Sequence, residues 1–67
     1  MEIYEIIRGL REDKDLTQQN MADMLQIGRT MYRRYETGET EIPIRHLKTI
    51  CLFFGVSADY LLGLPAG

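Results

Sequence analysis

Ile3, Ile6, Ile7 and Leu10 recur at i, i+3, i+4 and i+7. That is the spacing of one helical face, and it predicts an amphipathic first helix over about 2–13. The polar Asp13-Lys14-Asp15 reads as a turn, and Thr17 is suited to cap a second helix over about 17–25. Leu16 and Met21 stand at the N′ and N4 positions of a hydrophobic staple. Asn20 sits where Glu would complete a capping box, so the box is expected to be missing. Gly28 opens a third helix over about 28–37, closed by Gly38. Pro43 suits the first turn of a fourth helix over about 43–54, in which Leu47, Ile50, Cys51 and Phe54 keep helical spacing up to Gly55. Ser57 caps a short fifth helix over about 57–62, with Asp59 favourable in its first turn; Leu61 and Leu62 are expected to close the core, and residues 63–67 form a tail. No strand pattern, repeat or low-complexity tract is present, so the expectation is an all-α, compact five-helix fold filling 1–67 as one domain.

The third helix is split in character. With Arg29 at zero and a turn of about 100° per residue, Tyr32 and Tyr35 group near about 270°. Thr30, Arg33 and Arg34 cover the opposite face, with Arg29 at its edge. One side suits a core and the other a polyanion, as a helix lying in the DNA major groove requires. The tyrosines, facing away from the arginines, are expected in the core, and Met21, Met24, Phe53 and Phe54 are expected in a core or an interface.

The net charge of −2 argues against nucleic acid at first sight. Its distribution changes the picture. Residues 1–28 carry a net of −3, whereas residues 29–34 hold three arginines and no acid. What counts is the field at the binding face, although the acidic total predicts weak non-specific DNA binding. A 45% hydrophobic and 27% charged composition is that of an ordinary globule. The single cysteine allows no intrachain disulfide, and Cys51 is expected to be a buried inert thiol. His46 has no ligand-type residue at metal spacing, and no cofactor or metal is expected. Neither a nucleophile–base pair nor a glycine-rich phosphate loop appears, so enzymatic activity is not expected. The N-terminus is acidic and no apolar run approaches the roughly 18 residues of a membrane span, which points to the cytoplasm.

Ile7-Arg-Gly-Leu-Arg-Glu-Asp-Lys14, Leu16-Thr-Gln18, Met21-Ala22, Arg29-Thr-Met-Tyr-Arg-Arg-Tyr-Glu-Thr-Gly38 and Val56-Ser-Ala-Asp-Tyr-Leu-Leu-Gly63 together resemble the phage repressor/Cro-type (XRE-like) helix-turn-helix family. The resemblance covers residues 2–63. It implies a lambda-repressor-like domain with the helix-turn-helix in helices two and three. It also implies a sequence-specific double-stranded DNA-binding regulator, a repressor acting as a homodimer on a palindromic operator. Position by position, it implies that Gln18 contacts a DNA phosphate, that Arg29, Thr30, Arg33 and Arg34 face the groove, and that Arg11 pairs with Glu36. The division expected from the chemistry is Arg29 and Arg34 on bases, Arg33 on base or phosphate, and Thr30 on a thymine methyl.

The chain departs from the family pattern at three places. Gln26 and Asp15 stand where the family prefers Gly, which points to a left-handed backbone at Gln26. Glu39 and Glu41 replace basic residues that hold phosphate, which weakens the contacts expected there. A dimer surface is expected in helices four and five and the tail, from Phe53, Leu61, Leu62 and Leu64. The alternative reading is an antitoxin-like or adaptor module whose main partner is another protein, favoured by the acidic balance.

Overall fold

A computed structural model describes residues 2–64. Five helices follow one another: α1 (Ile3–Asp13), α2 (Gln18–Leu25), α3 (Arg29–Thr37), α4 (Ile44–Phe54) and α5 (Ala58–Leu62). Each begins or ends within a residue or two of the expected place, because local chemistry fixes the ends. In α1 the Glu5 carboxylate accepts the Glu2 amide at 3.0 Å.

Two expectations about helix starts are corrected. Asn20 does complete a capping box at α2: its Oδ1 accepts the Thr17 amide at 2.9 Å, while Thr17 Oγ1 accepts the Asn20 amide at 3.0 Å. The shorter amide side chain reaches the same donor that Glu or Gln would. Pro43 is the residue before α4, not its first helical residue. Its φ of −66° with ψ 153° is extended, and its carbonyl accepts the amides of His46 and Leu47 at 3.0 and 3.1 Å.

Left-handed residues close α2 and the turn after α1. Gln26 has φ 57° and ψ 44°, and Asp15 has φ 54°. Each reversal is tied by a backbone bond from the following residue, Ile27 to the Ala22 carbonyl at 2.9 Å and Leu16 to the Arg11 carbonyl at 3.0 Å. Gly38 ends α3 at φ 83°, and the Tyr4 ring packs over it so closely that a Cβ there would stand 2.8 Å from Tyr4 Cε1.

The core joins Ile7 of α1, Met21, Ala22 and Leu25 of α2, Tyr32 and Tyr35 of α3, Ile42, Ile50 of α4 and Leu61 of α5. Leu61, expected both to close the core and to offer area to an interface, is 1% exposed and belongs to this core, whereas Leu62, expected to close the core with it, is 51% exposed. Cys51 is half-buried at its margin, not enclosed. Among the described residues no helix is long and apolar enough to cross a membrane.

Candidate nucleic-acid interface

The packing that buries Tyr32 and Tyr35 turns the other side of α3 to solvent. Arg29, Thr30, Arg33 and Arg34 are all exposed. Among the described residues none of the three guanidinium groups enters an ion pair. The acid closest to them in sequence is Glu36, and it is already engaged. Arg11 Nε and Nη2 donate to Glu36 Oε2 and Oε1 at 2.9 and 2.8 Å, a two-pronged bond with a side chain that is 3% exposed. The α3 arginines are thereby left facing solvent.

Arg11 does more than neutralise Glu36. Its Nη1 donates to the Leu16 carbonyl at 2.8 Å, and its own carbonyl accepts the Leu16 amide. One side chain therefore joins α1, the turn before α2 and the last turn of α3. Burial opposes ionisation of Glu36, but the bonds donated to it, from Arg11 foremost, outweigh burial and hold its carboxyl below the usual range. The same bond to Glu36 raises the Arg11 guanidinium. Tyr32 is fully enclosed beside the pair, and burial, with the adjacent carboxylate, pushes its phenol well above the ordinary value. Its hydroxyl has no hydrogen-bond partner among the described residues.

Gln18 stands in the first turn of α2, where the amide protons of a helix N-terminus suit phosphate. Its side chain, however, is half-buried and donates from Nε2 to Glu36 Oε1 at 3.3 Å. It braces α2 against α3 as it stands. Reaching a phosphate requires that bond to be released or shared.

Two polar residues beside this surface escaped the sequence reading. Thr37 lies two turns after Thr30 on the same exposed face, and its Oγ1 donates to the Arg34 carbonyl at 3.2 Å. Its seven-residue spacing from Thr30 could have revealed it. Arg45 of α4 is exposed and lines the same groove as Gln26 and Ile27 of the α2–α3 turn. No local signal carries that proximity, since it arises from tertiary packing. Glu39 and Glu41 are exposed on the loop after α3.

A helix-turn-helix family profile matches residues 7–61. The chain is 47% identical over 58 residues to an uncharacterized HTH-type transcriptional regulator, YqaE, of Bacillus subtilis, covering 87% of this chain and 50% of that protein. It is 39% identical over 62 residues to the HTH-type transcriptional activator BcrR of Enterococcus faecalis, covering 92% of this chain and 30% of that one. It thus spans about half or less of the length of these curated relatives. A crystal structure of a transcriptional regulator from Listeria innocua superimposes with a TM-score of 0.90 at 24% identity, over 98% of this chain and 62% of that one, a likeness of fold. The helical order, the α2–turn–α3 geometry and the matched span agree, and the chain belongs to the XRE-type helix-turn-helix family.

Proposed function

We propose that this chain is the double-stranded-DNA-reading part of a cytoplasmic transcription regulator, with α3 in the major groove and α2 bracing the backbone. The observation that carries the reading is an exposed face of three arginines outside any ion pair among the described residues, on a helix clamped from behind by Arg11 and Glu36. Arg29 and Arg34 read bases, each planar fork matching guanine O6 and N7. Arg33 takes base or phosphate, and Thr30 meets a thymine methyl. Gln18 holds a phosphate once it is freed from Glu36.

One short helix reads few base pairs, so the reading includes a homodimer on a palindromic site with half-sites roughly 34 Å apart. The apolar side chains exposed on α4, α5 and just beyond supply its contact: Ile44, Leu52, Phe53, Leu62 and Leu64. The simplest consequence of occupancy is repression by occluding a promoter. One relative is named an activator, so a promoter–reporter assay, with loss of expression expected, decides the sign.

The test is selection from a random double-stranded DNA pool, with wild type beside an Arg29→Ala/Arg34→Ala variant. A palindromic motif enriched by wild type and degraded in the variant supports the reading. No enrichment by folded protein at low salt favours an antitoxin-like or adaptor role, which the acidic loop at Glu39 and Glu41 would suit.

A further inference from the structure

Behind the turn that leads into α3 lies an open groove of about 600 Å³. Met24, Leu25 and Ile27, from the end of α2 and the turn, form its apolar side. Arg45, His46 and Thr49, from the first turns of α4, form its polar side. His46 is 7% exposed, yet its Nε2 is buried with no hydrogen-bond partner among the described residues. Its neighbour across the core is the Tyr35 ring, with centroids 5.9 Å apart and tilted by 51°, which offers the imidazole no acceptor in that contact. Arg45 is exposed and outside any ion pair among the described residues, so its charge is uncommitted. The Thr49 hydroxyl donates to the Arg45 carbonyl at 3.2 Å and keeps lone pairs to accept with.

A buried polar atom without a partner is costly and uncommon in native folds. Here it belongs to a side chain that lines a groove which also carries a cation, Arg45, and the apolar Met24, Leu25 and Ile27. Few small ligands satisfy all three features. We infer that this groove binds a small monocarboxylate with an apolar tail. The carboxylate is held by the Arg45 guanidinium and, once the ring turns to bring its enclosed Nε2 to the groove, by the His46 imidazole, and the tail lies on Met24, Leu25 and Ile27. Such a two-ended arrangement, an apolar side together with a few convergent polar groups, can fix both the tail and the orientation of a small ligand.

The position gives the ligand something to act on. Gln26 and Ile27 directly precede Gly28, which opens α3, so an occupant wedged between the turn and α4 contacts the element that sets the entry of α3. Resting on the DNA-reading proposal above, this makes the groove an effector site. If the ligand alters affinity for the selected DNA, then DNA alters affinity for the ligand by the same factor.

His46 is the chain's one histidine, so its ring signals in NMR report on the groove without ambiguity. The intact chain is titrated with hexanoate, with hexanamide as the uncharged control and inorganic phosphate as the tailless anion. A saturable shift of the His46 ring with hexanoate alone, lost in Arg45→Ala and recovered in part by Arg45→Lys, is the expected result. No saturable shift up to about 10 mM, an equal response to hexanamide, or an equal response to phosphate overturns the assignment. Arg45 is exposed, and the dispersion of the variant's own spectrum shows that it folds. No DNA enters this titration, so its failure is distinct from failure of the DNA reading. A second titration, on the selected DNA, tests the effector role: a change in DNA affinity of about fivefold or more supports it, and an unchanged affinity at saturating hexanoate overturns it.

Discussion

Arg11 serves three oxygens at once, two on Glu36 and one on Leu16, while 14% of its side chain is exposed. Removing one partner of such a pair strands the other, at a cost of about 3–5 kcal/mol where burial is complete. A chain of this size has roughly 3–10 kcal/mol of total stability. Arg11→Ala is therefore expected to leave the chain largely unfolded or shifted far down in urea midpoint, read by circular dichroism. Acid acts on the same pair. Glu36 ionises below the usual 4.5 in the fold, so its contribution is present above that value and lost as pH falls through the folded one. Burial, then the charge of Arg45, lowers His46 from its ordinary 6.5, so the unfolded chain takes up that proton first and stability also falls as pH drops below about 6.5. Urea midpoints should be flat above pH 7, sag from about 6.5, and fall further below about 4.5. A midpoint that rises on acidification contradicts both assignments. The Arg11–Glu36 partnership was legible through the family pattern. The pull of Glu36 on Gln18 was not, because it depends on how α2 and α3 close on one another.

At the scale of elements, the ends of the helices were readable because capping is local. Ser57, Gly38 and Gly55 do what their chemistry suggests. The capping box at Thr17 was missed because the expectation asked for Glu or Gln at N3, and Asn20 supplies the same acceptor. Thr17→Ala should lower stability by about 1 kcal/mol, measured by urea denaturation. Gln26 is the opposite case, a non-glycine held left-handed at the centre of the motif. A left-handed residue costs roughly 1–2 kcal/mol and glycine in exchange loses more chain entropy, about 0.5–1 kcal/mol. Gln26→Gly is thus expected to raise stability by up to about 1 kcal/mol in the same assay. An unchanged or lower midpoint would mean that the glutamine side chain supports the turn in some other way.

Across the whole molecule, an arginine face on α3 and exposed apolar side chains on α4 and α5 stand apart, with Glu39 and Glu41 on the loop between them. Composition gave only the net value, and spacing revealed the arginine face. The sequence could not separate Leu61 from Leu62, adjacent leucines of which one is enclosed and the other 51% exposed, because α5 is too short for periodicity to assign a face. Under the dimer proposal, Leu52→Asp should weaken self-association in sedimentation velocity without loss of helicity, since Leu52 is 75% exposed. Under the DNA proposal, the acids of the loop repel the backbone. Glu39→Lys/Glu41→Lys should tighten non-specific binding and steepen its salt dependence by about 2 in the log–log slope, if both lysines meet phosphate. An unchanged slope would place that loop away from DNA.

Gly38 carries a consequence for how this gene can vary. Its φ of 83° favours glycine, and the Tyr4 ring occupies the space a first side-chain carbon would need. Every single-base change of a glycine codon that alters the amino acid and keeps the chain going introduces such a carbon, so the codon has no neutral missense neighbour under these two constraints. Escape takes two coordinated changes, an asparagine that tolerates the backbone together with a smaller residue in place of Tyr4. Saturation mutagenesis under selection for folded protein should leave position 38 almost purely glycine in single variants. Alternatives should surface there chiefly in chains that have also given up Tyr4.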